Sequence, residues 1–319
     1  MKRMIAIIIT LIFTSVIGAY ATVPYATFSI VGADPQTGEL GVAVASKYFS
    51  VGSVVPWAKS GVGAIATQAW VNYDYGIVGL ELLEKGYSVK AVVDSLTKAD
   101  PNSGRRQLGV VDKDGNGATY TGKECISWAG GMSGKNCVAQ GNILVDSTTV
   151  IELVKTFEIT TGTLGDKLMA ALLAGDAAGG DSRGKQSAAL LVVKAMPGYR
   201  YDREIDIRVD DHQEPFQELN RLYGISRALA YLSSALAKYT NGDLPGAVLE
   251  ARQSVEMGPN LPETYYDLAC YLSLSGQIDE ALKNITTALK MAPHYKGMAQ
   301  KDTDLKNLWE LPEFKKLVK

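Results

Sequence analysis

The sequence holds only two histidines, His212 and His294, and three cysteines in 319 residues. So few imidazoles exclude a histidine-based metal cluster. A Ser-His-Asp triad could rest only on His212, with no Gly-x-Ser-x-Gly elbow to match it. Cys125, Cys137 and Cys270 fit no common zinc spacing. The charges are nearly balanced, with 32 Lys and Arg against 34 Asp and Glu. No basic stripe is visible, which speaks against a nucleic-acid partner. The apolar run from Ile5 to Ile17 is too short to span a bilayer comfortably. Any hydrolytic chemistry in this chain therefore needs a base other than a typical histidine.

What is present begins with that short run. It follows Met1-Lys2-Arg3 and precedes Gly18-Ala19-Tyr20-Ala21, the basic start, apolar centre and Ala-x-Ala end of a secretory signal peptide. Cleavage after Ala21 leaves a propeptide-like segment, 22–26, ahead of Thr27. No cysteine lies near the cut to carry a lipid, so the expected product is exported, periplasmic or extracellular, without a stable membrane anchor. In such a compartment Cys125 and Cys137 could pair, or could remain two buried thiols.

Thr27 to Asp34 and Gly38 to Lys47 read as two short strands joined by the turn Asp34-Pro35-Gln36-Thr37-Gly38. The second is apolar and rich in small residues, which suits burial on both faces. A loop or irregular strand stopped by Pro56 follows, then a buried strand at Gly61 to Gln68. Helices are expected over about 76–85 and 88–99. Gln107 to Val111 and Ala118 to Tyr120 flank Asp112-Lys113-Asp114-Gly115-Asn116-Gly117 as a hairpin. That hexapeptide resembles the start of a calcium loop, but Lys123 stands where the bidentate Glu belongs, so a plain turn is expected. Further strands are expected at 143–145, 187–193 and 205–209, with helices at 149–157 and 163–178. Strands on both sides of a helical pair suggest a layered architecture and not an alternating βαβ pattern.

Beyond Pro215 the pattern is helical only, and residues 228–261 align with 262–295. Tyr231 falls on Tyr265, Ala235 on Ala269, Gly242 on Gly276, Ala247 on Ala281 and Pro259 on Pro293. A period of 34 with these residues is the tetratricopeptide pattern, in which stacked helix pairs present a surface to peptides or partner helices. Flanking helices, about 216–223 and 305–318, are expected to complete the stack.

A threonine at a new chain terminus carries its own α-amine, which titrates at about 7.7–8.0 and can act as general base. Thr27 therefore reads either as a nucleophile of that kind or as an ordinary strand residue. Lys47 could lower the nucleophile's pKa, or be a solvated strand end. Gln68 and Asn72, between a strand and a helix, could serve an oxyanion hole or turn and cap chemistry. Asp181 and Arg183 read as a clamp across their Gly-rich loop or as substrate contacts. Asp210, Asp211 and His212 read as a strand-end cap.

Several blocks point to one family. Thr27 to Val31, Gly41 to Ser46, Val51 to Ala58, Gly61 to Ala64 and Ala66 to Ala69 resemble the domain-of-unknown-function family 1028. So do Arg106-Gln107, Gln140 to Leu144, the long block Ala177 to Leu191, and Val209 to His212. The resemblance covers about residues 27–222 and implies a four-layer αββα sandwich of the N-terminal-nucleophile hydrolase type, with Thr27 matching the threonine exposed on removal of the initiator Met.

The expected fold is thus α+β: this sandwich over 27–214, then an all-α tetratricopeptide repeat domain over 215–319. The expected function is amide-bond hydrolysis by Thr27 on a small amide or peptide, with the repeats docking a protein or peptide partner and no cofactor or metal. The alternative is an inactive hydrolase-like domain in a secreted binding protein that works through its repeats.

Overall fold

Alternation along the first strands sets the positions of the surrounding layers. In the computed structural model, which describes residues 27–195 and 201–319, β1 (Thr27–Asp34) and β2 (Glu39–Ser46) are buried almost throughout. The expected leader and the segment 22–26 lie outside the described residues. Asp34 accepts the Gln36 and Thr37 N–H groups and Gly38 takes φ +76°, so the turn between the strands is closed by its own side chain and backbone.

The chain continues through β3 (Pro56–Lys59), β4 (Gly63–Ala69), α1 (Tyr73–Glu84), α2 (Val89–Ala99), β5 (Arg106–Asp112) and β6 (Gly117–Thr121). Then come β7 (Gly130–Gly134), β8 (Cys137–Asn142), α3 (Thr148–Ile159), α4 (Leu164–Ala177), β9 (Ser187–Val193) and β10 (Arg203–Val209). Two antiparallel sheets result, ordered β10-β9-β2-β1-β8-β7 and β3-β4-β5-β6. Phe28, Ile30 and Ala43 face Leu168 and Leu172 of α4, while Ile65, Leu108 and Val110 face Tyr75, Val92 and Leu96 of α1 and α2. Between the sheets lie Val31, Val42, Val44, Ala64, Ala66 and Val138. The layers therefore run helix, sheet, sheet, helix.

Two details depart from the expected elements. Pro56 begins β3 instead of stopping a strand; β3 is an edge, where a missing N–H removes no ladder bond. Residues 143–145 are not a strand: Ile143 takes φ +52°, ending β8 at Asn142. Leu144 makes only an isolated bridge to Asp181.

The C-terminal region is all-helical: α5 (Pro215–Thr240), α6 (Leu244–Met257), α7 (Pro262–Leu274), α8 (Ile278–Met291) and the short α9 (Lys296–Ala299) and α10 (Pro312–Leu317). The expected boundary at 214/215 marks the start of a 26-residue helix that serves both regions. Phe216, Leu219 and Tyr223 of α5 belong to the core under α3 and α4, whereas Ala235 belongs to the helical core. Two helix pairs repeat at the aligned spacing. Gly242 and Gly276 turn each pair at φ +83° and +79°, and Ala235, Ala247, Ala269 and Ala281 are fully buried where helices cross. No helix among the described residues is long and apolar enough to cross a membrane.

All three cysteines are free thiols, which corrects the pairing considered for Cys125 and Cys137. Cys125 Sγ donates to the Arg106 carbonyl, while Cys137 sits on β8 under α3, where burial pushes its thiol up to about 12. Thiol titration of unfolded, unreduced protein is expected to find all three; a count of one would restore the bridge.

Candidate active site

The inner faces of the two sheets are apolar at one end and polar at the other. Strand alternation brings Thr27 and Ser29 of β1, Gln68 of β4, Gln107 of β5 and Gln140 and Asn142 of β8 into this layer, each 3% exposed or less. Thr27 stands opposite Ser46 on β2 and Asn142 on β8. Burying so many polar groups is tolerable only if each is hydrogen-bonded, and here they are. Ser29 Oγ donates to Gln68 Oε1 at 2.6 Å and accepts from Gln140 Nε2 at 2.6 Å. Gln68 Nε2 donates to the Thr27 carbonyl at 3.1 Å and to Gln107 Oε1 at 2.8 Å. Gln107 also accepts from Asn142 Nδ2 at 3.0 Å, and its own Nε2 donates to Thr121 Oγ1 and the Gly130 and Gly141 carbonyls. Gly109 is needed opposite: a Cβ there would collide with Gln140 Oε1.

This lattice ties the two sheets together and fixes the first residue of β1. Gln107→Leu would strand the Gln68 and Asn142 donors and the Gly141 acceptor. At about 1–3 kcal/mol for each orphaned buried group, partly relieved by relaxation, a loss of about 3–4 kcal/mol is expected, read as a lower urea midpoint. A midpoint within experimental error of wild type would show that the network is not structural.

Thr27 Oγ1 lies 3.2 Å from Ser46 Oγ, on the wall of a cavity of about 310 Å3. Valines 51, 54, 55 and 71 line it with Trp70, Tyr73 and Arg106. Trp70 follows Ala69, which takes φ +64°, a conformation that costs energy in a residue with a Cβ. Arg106 Nε donates to Asp100 at 2.9 Å, and its Nη1 donates to the Trp70 and Val71 carbonyls at 2.5 and 3.1 Å. Arg106 and Asp100 are 13% and 9% exposed, so the pair is held out of water. Burial alone would raise the Asp100 pKa. The Asn102 N–H, Arg106 and the Asn72 amide outweigh it and hold the carboxyl below its usual range.

Residues 27–219 match a family of unknown function, DUF1028. The chain belongs to that family. A crystal structure of a protein from Silicibacter pomeroyi, described with the same family, is similar at 32% identity and a TM-score of 0.57, over 62% of this chain and 84% of that one. No curated protein matches. The family match ends within α5 at Leu219, so it takes in Phe216 and Leu219, two of the α5 residues that pack on the sandwich.

Of the residues that the sequence singles out, Thr27 and Gln68 meet, the amide of one on the carbonyl of the other. Gln68 is a strut, with its N–H groups on the Thr27 carbonyl and Gln107. Lys47, just beyond the Thr27–Ser46 pair, is exposed, and its ammonium is bonded to the Lys185 carbonyl at 3.1 Å. Asn72 caps α1 by accepting the Asp74 N–H and donates to Asp100, one step from the cavity. Asp181 accepts the Lys47 N–H at 2.7 Å and grips Arg183 through both oxygens, a clamp that fixes the 181–186 loop. Asp210 accepts from Ser50 Oγ, and His212 Nδ1 accepts the Glu214 N–H, so the strand end is capped. Among the described residues no group of three or more His, Cys, Asp or Glu is placed to hold a metal ion.

Sequence alone does not point to Arg106 and Asp100. They lie just outside the expected strand at 107–111 and helix at 88–99, and their pairing joins segments that no periodicity relates. Ser46 carries a readable signal, a polar residue on the inward phase of an otherwise apolar strand; Gln140 and Asn142 lie on β8, which no expected strand covers.

Proposed function

We infer that this chain is an exported amide-bond hydrolase of the N-terminal-nucleophile type, with Thr27 as nucleophile after removal of residues 1–26. One observation carries the reading. The first residue of the strand between β2 and β8 places its hydroxyl beside Ser46 on the wall of a preformed cavity, with its carbonyl anchored by Gln68. The layer order and the family membership support it.

In this mechanism the freed α-amine takes the hydroxyl proton as Thr27 Oγ1 attacks the amide carbon. The amine then passes the proton to the leaving nitrogen as the C–N bond breaks. Water, activated by the same amine, hydrolyses the acyl–threonine ester to a carboxylate and restores the hydroxyl. An internal Thr27 has no such base, because an amide nitrogen does not accept a proton at useful pH.

The processing requirement gives the test. Direct cleavage after Ala26 would put Pro24 at the third position before the bond, where a small residue is usual. Cleavage after Ala21 followed by trimming of 22–26 is the expected route. Intact mass of protein exported by its native host should correspond to a chain beginning at Thr27. A mature chain that begins at Thr22 and stays so rules out this mechanism.

The helix pairs are read as tetratricopeptide repeats that dock a protein or peptide partner. Leu229, Leu236 and Leu249, 45–65% exposed on α5 and α6, favour a binding role, and would carry the function alone if Thr27 proves internal.

A further inference from the structure

The cavity beside Thr27 is lined mainly by apolar side chains. Valines 51, 54, 55 and 71 form its body, and the half-exposed Trp70 and Tyr73 stand at its rim. Its volume of about 310 Å3 is large enough for one ring or a short chain, since a dry cavity of about 150 Å3 already holds benzene. Among the described residues, Arg106 is the only charged one lining it, and Asp100 neutralises that charge at 2.9 Å.

A single lining arginine ordinarily suggests an anionic ligand. Here the guanidinium already gives Nε to Asp100 and Nη1 to two carbonyl oxygens. A carboxylate brought to the same guanidinium would add a second negative charge close to Asp100, in a site held out of water where like charges repel more strongly. A neutral carbonyl can accept from Arg106 without that repulsion.

We propose that this cavity receives a neutral apolar acyl group, the size of one aromatic ring or a short alkyl chain, and that the Arg106–Asp100 pair discriminates against the corresponding carboxylic acid. For its chemistry the proposal rests on Thr27 as nucleophile; for binding it does not. The selectivity matches the direction of the reaction. The substrate amide and the acyl–threonine ester are neutral, whereas the hydrolysed acyl product is a carboxylate, which the site would release.

Calorimetric titration of the full mature chain at pH 7 with benzamide and with benzoate tests the proposal. Benzamide is expected to bind at least about tenfold more tightly. Val54→Phe, which fills the cavity from a half-buried position, should weaken benzamide binding at least tenfold while leaving the melting temperature near wild type. Asp100→Asn should narrow or reverse the preference; if that variant melts early, the Val54→Phe result and the wild-type preference still decide. Equal or tighter benzoate binding, no binding of benzamide at millimolar concentration, or indifference to Val54→Phe overturns the proposal. Nitroaniline release from N-(4-nitrophenyl)benzamide is a separate arm. If benzamide binds as expected to wild type and Thr27→Ala, but protein beginning at Thr27 releases no nitroaniline, the nucleophile reading fails and the ligand class stands.

Discussion

Thr27→Ala is expected to fold and to be inert. Thr27 is 3% exposed, and among the described residues its hydroxyl has one neighbour at hydrogen-bond distance, Ser46, so its removal should lower stability by about 1 kcal/mol. The backbone anchor, Gln68 on the Thr27 carbonyl, is indifferent to the side chain. Amide hydrolysis should fall by at least about a thousandfold, because the attacking oxygen and the covalent intermediate are both lost. Thr27→Ser keeps the oxygen and should retain measurable turnover. The wild-type rate should also rise with pH through about 7.7–8.0 as the α-amine loses its proton, since the base is active only when neutral. If Thr27→Ala hydrolyses an amide probe at the wild-type rate, Thr27 is not the nucleophile.

The sequence located most elements because their signals are local. Ser88 caps α2 by accepting the Ala91 N–H, and Thr163 and Asp166 form the reciprocal box that opens α4. The turn at 34–38 and the hairpin at 112–117 carry their own Asp and Gly, with Asp112 accepting two N–H groups of its loop. What escaped was non-local. Gly130 to Gly134 has almost no side chains to show alternation, and it is a strand only because β8 pairs with it. The change in composition after Pro215 suggested a domain boundary, but burial of Phe216 and Leu219 against the sandwich decides where α5 belongs.

The site shows the same division. Thr27 and Gln68 were legible as polar residues in buried strands. Their roles were not, because a glutamine aimed at a cavity and a glutamine bridging two sheets look alike in sequence. Only the register, which sets Gln107 opposite Gln68 on the neighbouring strand, makes it a strut. Lys47 was assigned by proximity in the chain; one residue past the last pair of a strand, its head leaves the layer and meets the 181–185 loop.

Cutting the chain after Leu222 is expected to unfold the sandwich, whereas cutting after Thr240 is not. The difference is the continuation of α5 from Tyr223. Tyr223 is 7% exposed, its ring lies against Gly165 of α4, and its hydroxyl donates to Asp166 Oδ1 at 2.6 Å. Losing a buried aromatic costs about 3–5 kcal/mol, and losing a hydrogen bond to a charged group about 1.5–3 more. That sum is comparable to the whole margin of a typical domain. The fragment 27–240 retains these contacts and should melt cooperatively in calorimetry; 27–222 should show no transition. Tyr223→Phe in the full chain isolates the hydrogen bond. Burial alone would raise the Asp166 pKa, but Tyr223, Thr163 and Arg227 hold it below its usual range. A carboxylate depressed in the folded state contributes stability that is present above its unfolded value of about 3.9 and is lost as pH falls through the folded one. Wild type and Tyr223→Phe should therefore differ in urea midpoint at pH 7, and the gap should narrow as acid titrates Asp166 below its unfolded value of about 3.9. If 27–222 melts as cooperatively as 27–240, or the gap between wild type and Tyr223→Phe does not narrow as acid protonates Asp166, then Tyr223 does not join α5 to the sandwich in this way.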